Sequence, residues 1–406
     1  MKTLIKIAWR NVWRNKLRSS LVIMSIVFGI WAGLFLMAMT LGLNEQRMSG
    51  AVDTYLSHVQ IHHPKFKEDQ NLKYFIQDKK EILDAIHANK NIEAYAERII
   101  ASGMITNAKG SKGIQLLGIH PEEEKKLTTI STLLTEGTYF TKFKKYPAVI
   151  GQKLAKKLNL KIRSKIVVTL QDFEGNLTSA LFRVEGIFKT NSSIFDEGTL
   201  FVRASDLDKS IGMQGRIHEI AILGNSIDKV KKIKTDLASK IKTSKVETWN
   251  EISPELGYAQ EMMGSMIYIF MGIVLIALAF SIINTMLMAV LERKKELGML
   301  MAVGLNKKRL FAMISLETLF IAIVATPIGM LLSYWSIEYF RKYGIDLSVV
   351  AAGLESLGIG NRIYTYLPAN LYISITAMTL VVAFLASIFP ARRALKLRPA
   401  EAIRSA

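Results

Sequence analysis

Three histidines within six residues, His58, His62 and His63, form the densest group of metal-capable side chains in the sequence. On a strand, His58 and His62 would share a face about 13 Å apart, His63 would point to the other face, and no carboxylate follows until Glu68. That spacing reads as three ordinary histidines rather than a metal centre. No G-x-x-x-x-G-K-[ST] loop occurs, so the chain does not hold a nucleotide through that motif. Nor does any nucleophile and base carry a spacing signature. With no cysteine at all, thiol catalysis, disulfides and a lipid-modified cysteine are excluded.

The most distinctive cluster is instead Glu292 to Leu310, ERKKELGMLMAVGLNKKRL, with six cations and two carboxylates. Glu292 and Glu296 stand four apart, a like-charge pair that costs an isolated helix about 0.2 to 0.5 kcal/mol, partly offset by Arg293 and Lys295 between them. Gly298, Ala302 and Gly304 follow, with side chains small enough for another protein to approach closely. Two readings stay open on the pattern alone. One is a short helix shaped as a plug for a protein socket, and the other is a basic loop with incidental glutamates.

What flanks this segment is apolar. Ser20 to Leu43, Met262 to Leu291 and Ala369 to Phe389 contain no charge, and Leu310 to Ser336 contains only Glu317. Each reaches the roughly 20 residues that an α-helix needs to cross about 30 Å of hydrocarbon. The sequence therefore predicts an α+β membrane protein with four transmembrane helices and a large domain between the first and second. The segments are an amphipathic helix at 1–19, spans at 20–43, 262–291, 310–336 and 369–390, a mixed α/β domain with stalk segments at 44–261, a charged link at 292–309, an outer loop at 337–368 and a basic tail at 391–406.

The formal net charge of +19 sorts itself around those spans. Residues 1–19 carry +6, residues 292–309 carry +4 and residues 391–406 carry +4, whereas the 218 residues of 44–261 carry only +6. Nucleic acid is not the partner that this distribution implies. Retention of Lys and Arg in the cytoplasm places the three basic segments and both termini inside and the large domain outside. The 19-residue basic lead and the 24-residue apolar run are both too long for a cleaved signal peptide, so the first span is expected to remain as an anchor.

Within the lead, Lys2, Lys6, Arg10, Arg14 and Arg18 recur every fourth residue beside a second row, Ile5, Trp9, Trp13 and Leu17. This predicts an amphipathic helix at the cytoplasmic interface with its tryptophans at headgroup depth. In the outer region SHVQIHH alternates as a strand, and KIVVTLQDFEGNLTSALFRVEGIF reads as a hairpin turning at Glu174-Gly175-Asn176. QKLAKKLNL and IDKVKKIKTDLASKIK have helical spacing. The domain has room for two lobes. Ser253-Pro254-Glu255 predicts a helix start, and 38 residues from there to Leu291 make a rod of about 57 Å. Asn284 and Glu317 are the costly groups inside the spans. An interhelical hydrogen bond is expected for Asn284, and either interfacial snorkelling or a buried contact for Glu317.

MGIVLIALAFSIINTMLMAVLERKKELGMLMAVGLNKKRLFAMISLETL resembles the permease core shared by the MacB, FtsX and Lol lipoprotein-release (LolC/LolE-like) families of ABC transporters, and PARRALKLRPAEAIR looks like their C-terminal signature. Looser similarity follows in order through HVQIHHP, LLGIHPEEE, AVIGQKLAKKLNL, FRVEGIF, IFDEGTLFV and ETWNEISPEL. The resemblance implies that ERKKELGMLMAVG is a coupling helix seated in a separate, LolD-like ATPase subunit that binds ATP and Mg, this chain itself holding no cofactor. It also implies a second permease subunit, identical or paralogous, packed through the first two spans. The mechanism would be mechanotransmission in a bacterial inner membrane with the large domain periplasmic, most simply for lipoprotein release, alternatively for MacB-like extrusion of peptides or FtsX-like signalling to a cell-wall hydrolase. Lipoprotein-release permeases that recruit a soluble carrier use a projecting loop near the hairpin at 170–182, where this chain has only the compact QDFEGNLTSA.

Overall fold

The computed structural model of the protein describes residues 2–107, 110–141, 145–350, 353, 360 and 362–396, so the basic tail lies outside the described residues from 397 onward. The chain divides into a helical unit, residues 1–44, 261–346 and 362–406, and an inserted unit, residues 45–260 with 347–361.

In the helical unit an amphipathic helix, Lys2–Arg14, is broken at Asn15, and the first span follows as Lys16–Ala51. The second span is Pro254–Glu292, the third Lys307–Tyr343 and the fourth Ala369–Leu395, all four long and apolar enough to cross a membrane. The break at Asn15 is held by the Ser19 hydroxyl, which donates to the Val12 carbonyl. The amphipathic helix buries Ala8, Asn11 and Val12 while the tryptophan row stays exposed, with Trp9 edge-on to Phe320 of the third span at 5.4 Å and to Trp13 at 6.0 Å. Its protein-packing face is therefore the side of Ala8, Asn11 and Val12 beside the tryptophans, which remain available to headgroups.

The first and second spans approach closely because Gly29 and Gly33 lack side chains. A Cβ at Gly29 would stand 2.5 Å from Leu278 Cδ2, and one at Gly33 would stand 2.8 Å from Val274 Cγ1. Small residues facing larger ones let helix backbones come together where no hydrophobic drive exists between helix and lipid. The helix predicted from Ser253-Pro254 does begin at Pro254, but the Ser253 hydroxyl donates to Glu255 Oε1 at 2.8 Å instead of capping a backbone N–H.

The inserted unit is a mixed α/β fold on one ten-stranded sheet. Its strands are β1 (Val59–His62), β2 (Ile92–Asn107), β3 (Gly110–Ile119), β4 (Leu134–Gly137), β5 (Pro147–Gly151), β6 (Lys165–Gln171), β7 (Leu177–Phe188), β8 (Thr199–Arg203), β9 (Glu219–Gly224) and β10 (Lys245–Thr248). The order β10-β1-β9-β2-β3-β8-β5-β7-β4 is continuous, and β6 bridges β2 and β7. Two separate lobes do not form, because the 16-residue β2 pairs with β9 along its first half and with β6 along its second. SHVQIHH does not alternate in burial either. All four residues of β1 are buried, since the strand is central and covered on both faces. The hairpin forms where predicted, with Gly175 at φ +98° and Asp172 Oδ1 accepting the N–H groups of Glu174 and Asn176.

Charge inside this unit is paired. Arg98 on β2 is 2 % exposed, donates through Nε and Nη2 to both oxygens of Glu124 at 3.1 and 2.6 Å, and reaches Glu219, its cross-strand neighbour on β9, at 2.9 Å. The histidines are occupied separately. His58 Nδ1 accepts the Gly224 N–H, His62 bonds Glu247 at 2.6 Å, and His63 stacks on Tyr74. His218 is buried against the ring of Phe66, its Nδ1 accepting the Ile100 N–H and its Nε2 facing the Leu72 carbonyl. An N–H can only donate and a C=O can only accept, so the geometry specifies one neutral tautomer.

Burial lowers the His218 pKa to about 4. The unfolded chain therefore takes up a proton that the folded one refuses as pH falls from about 6.5 to about 4, and stability is lost across that window by about 3 kcal/mol at most. Thermal unfolding of the full chain in nanodiscs between pH 7.5 and 4 should show this slope for the inserted unit, and His218→Asn should flatten it. An unchanged slope in the variant would assign the loss to other groups.

Candidate functional site: the charged link between the second and third spans

The second span ends at Glu292, the chain turns at Arg293, and a separate helix runs from Lys294 to Ala302. The link is thus not one rigid continuation of the span. The reason is electrostatic. Arg293 folds inward, only 13 % exposed, with Nη1 3.2 Å from both oxygens of Glu317 and Nε 3.0 Å from Glu296 Oε2. Glu317 is 4 % exposed, so of the two readings open for it the structure selects the buried contact.

Glu296 completes a chain of charges by accepting from Arg14 of the amphipathic helix, Nη2 to Oε1 at 2.6 Å. The Arg14 hydrogen bond, more than that from Arg293, holds the Glu296 carboxyl below its usual range. Arg14, Glu296, Arg293 and Glu317 therefore tie three elements together: the amphipathic helix, the link helix and the third span.

This arrangement corrects the predicted acidic-and-small face. Glu292 lies exposed at the end of the preceding helix, while Glu296 is turned toward its two arginines. Gly298 is buried beside Leu297, so it packs inward. Gly304, at φ +100°, is the helix stop: its N–H bonds the Met301 carbonyl and the Leu305 N–H bonds the Leu300 carbonyl, the paired pattern of a Schellman cap that favours glycine. Ala302 is exposed, and Gly304, although exposed too, serves to end the helix. The exposed side carries Lys295, Met299, Leu300 and Val303, with Val303 85 % exposed and Met299 57 %. Asn306 then caps the third span by accepting the Lys308 N–H at 3.1 Å.

Arg10, like Trp9 and Trp13, stays on the exposed side of the amphipathic helix. Asn284 differs from expectation: it is exposed and makes no interhelical hydrogen bond among the described residues, lying on the same open face of the second span as Phe280 and Met288. Sequence reasoning missed the Arg293–Glu317 pair because its members stand 24 residues apart and no periodicity connects them. Among the described residues no group of three His, Cys, Asp or Glu could hold a metal ion.

A four-span bundle with a large α/β insertion after the first span, and a charged helix linking the second to the third, is the layout of an ABC transporter permease. Residues 268–399 match the FtsX-like permease C-terminal family and residues 19–240 match the MacB-like periplasmic core domain family. The chain belongs to this FtsX- and MacB-like family of ABC transporter permeases. It is 23% identical over 327 residues to the lipoprotein-releasing system transmembrane protein LolC of Xylella fastidiosa, covering 77% of this chain and 78% of that protein. To LolC of Neisseria meningitidis it is 22% identical over 347 residues, 80% of this chain and 81% of the other. The ABC transporter permease YtrF of Bacillus subtilis is 33% identical over 137 residues, 34% of this chain and 31% of that one.

The two ion pairs of the link differ in burial, and so should their contributions. Glu317→Ala removes the buried partner of a largely buried guanidinium, leaving it only the half-exposed Glu296, and should cost about 3 kcal/mol. Glu296→Ala removes a partner that is 45% exposed and should cost no more than about 1 kcal/mol. Unfolding of the two full-length variants in nanodiscs measures the difference, and equal losses would refute Arg293–Glu317 as the anchor.

Proposed function

We propose that this chain is the membrane subunit of an ABC exporter working by mechanotransmission, with release of lipidated proteins from the bacterial inner membrane as its function. The observation that carries the reading is the link helix, whose one carboxylate, Glu296, is tied to Arg14 and Arg293 while Met299, Leu300 and Val303 are left outward beside Lys295 as an apolar patch on a helix of nine residues. An amphipathic helix with such a face is suited to a groove on another protein. In this reading the groove belongs to a LolD-like ATPase, which holds ATP and Mg, and closure of its dimer drives the helix.

The basic segments around the spans support a cytoplasmic location for the link and both termini, and a periplasmic one for the inserted unit. The second span is an unbroken 39-residue helix, roughly 58 Å long, able to pass movement from the link toward the periplasm. It is also the least buried of the four, with only 17% of its most apolar window covered. That open face, carrying Phe280, Asn284 and Met288, is suited to a second permease subunit, identical or paralogous. The LolC relatives favour lipoprotein cargo, and the compact turn at Asp172 to Asn176 leaves docking of a soluble carrier to the other subunit. A MacB-like extruder of peptides is the second reading, favoured by the match over residues 19–240.

Placing charge on the outward patch tests the coupling. Met299→Glu combined with Val303→Glu should reduce cargo-stimulated ATP turnover of the reconstituted complex at least about 10-fold. Undiminished turnover would remove the link helix from the ATPase interface. Asn284→Leu should weaken association of the two permease subunits about 3- to 30-fold, measured by energy transfer between labelled copies in lipid. No change would place the subunit contact elsewhere.

A further inference from the structure

The inserted unit contains a cavity of about 440 Å³ that the coupling mechanism does not use. Its walls come from segments far apart in sequence: Arg47 and Tyr55 at the end of the first long helix and just beyond it, Asn191 and Phe195 after β7, and Glu255 and Leu256 at the start of the second long helix. The volume lies within the range of small-ligand sites.

Its two ions, Arg47 and Glu255, do not pair with each other. Arg47 is half-buried and makes no hydrogen bond or ion pair among the described residues. Among the described residues Glu255 accepts one side-chain hydrogen bond, from the Ser253 hydroxyl at 2.8 Å, and has no cation within ion-pair distance. Arg47 and Glu255 nevertheless feel each other's charge across the cavity. Tyr55 supplies a flat floor, stacked on Phe195 with ring centroids 4.4 Å apart. Asn191 also lines the cavity, and Ile194 at the rim is 74 % exposed.

A simple anion would meet Arg47 but be repelled by Glu255, and a simple cation would meet the reverse. A ligand carrying both signs a few ångströms apart satisfies both walls at once. Depth narrows the choice further. Arg47 stands four residues past Leu43, where the apolar run of its helix ends, or about 6 Å beyond it, and Glu255 stands seven residues before Met262, about 10 Å from the apolar run of the other. Both distances correspond to the headgroup layer of a bilayer and its edge.

We propose that this cavity binds a phosphate–ammonium zwitterion, the phosphate on Arg47 and the ammonium on Glu255, as in a phosphoethanolamine headgroup. The site does not depend on the ATPase reading, and it would hold for any cargo. The same chemistry reaches it either from a lipid of the outer leaflet, with Ile194 against the glycerol, or from a soluble phosphoethanolamine ester.

The full chain in nanodiscs of equal phosphatidylethanolamine and phosphatidylglycerol, released for native mass spectrometry, should retain phosphatidylethanolamine about 10-fold over phosphatidylglycerol. Glu255→Gln should erase that preference, Arg47→Gln should lower retention of both lipids, and Arg47→Lys, which keeps the charge, should preserve it. Titration with soluble glycerophosphoethanolamine, followed by calorimetry, separates the sources. Displacement of the retained lipid assigns the site to a membrane headgroup. Saturable binding without lipid retention, abolished by Arg47→Gln, assigns the same site to a soluble ester. Equal retention of the two lipids by the unaltered protein with no binding of the soluble ester overturns the proposal, as does Arg47→Gln behaving like Arg47→Lys.

Discussion

A guanidinium cannot shed its proton, so an arginine drawn out of water must bring its counter-charge with it. Arg293 is such a residue, and its pairing with Glu317 determines how the second span hands over to the third. The pair ends the long helix at Glu292, sets the entry of the short helix at Lys294, and puts Leu297 and Gly298 inside. Only then do Met299 and Val303 face outward. Glu296, shared between Arg293 and Arg14, extends the same constraint to the amphipathic helix.

The inserted unit handles charge in a comparable way for a different end. Arg98 joins β2, β9 and the helix Pro121–Leu127 through two carboxylates, and a neutral His218 joins the backbone of Ile100 to that of Leu72. Each network specifies one arrangement, because leaving any member unpaired in the interior is costly. A continuous sheet braced in this manner is a stiff body. By contrast the second span leaves most of its apolar surface open, and the amide there, Asn284, is better placed for a partner than for lipid.

The cavity around Arg47 and Glu255 shows the opposite use of charge. Two ions that share a chamber without touching are held in reserve for something else, whereas the ions of the link and of the sheet interior are already satisfied by each other. The same residue types thus separate into fastening and receiving roles by geometry alone.

The membrane spans, the α/β insertion and the amphipathic helix were legible in the sequence because each follows from local composition. Apolar runs longer than the bilayer, a fourfold recurrence of Trp and Arg, and the turn at Gly175 declare themselves without any distant partner. The roles of individual residues within those elements were not. Gly304 looked like a contact surface and is a helix stop, Glu296 looked outward and is tied to Arg14, and Asn284 looked like an inner hydrogen-bonding group and lies on an open face. Local spacing states which helix a side chain belongs to and roughly which way it points. Which charge it meets is decided by helices that arrive from 24 or 282 residues away, and only tertiary packing brings those together.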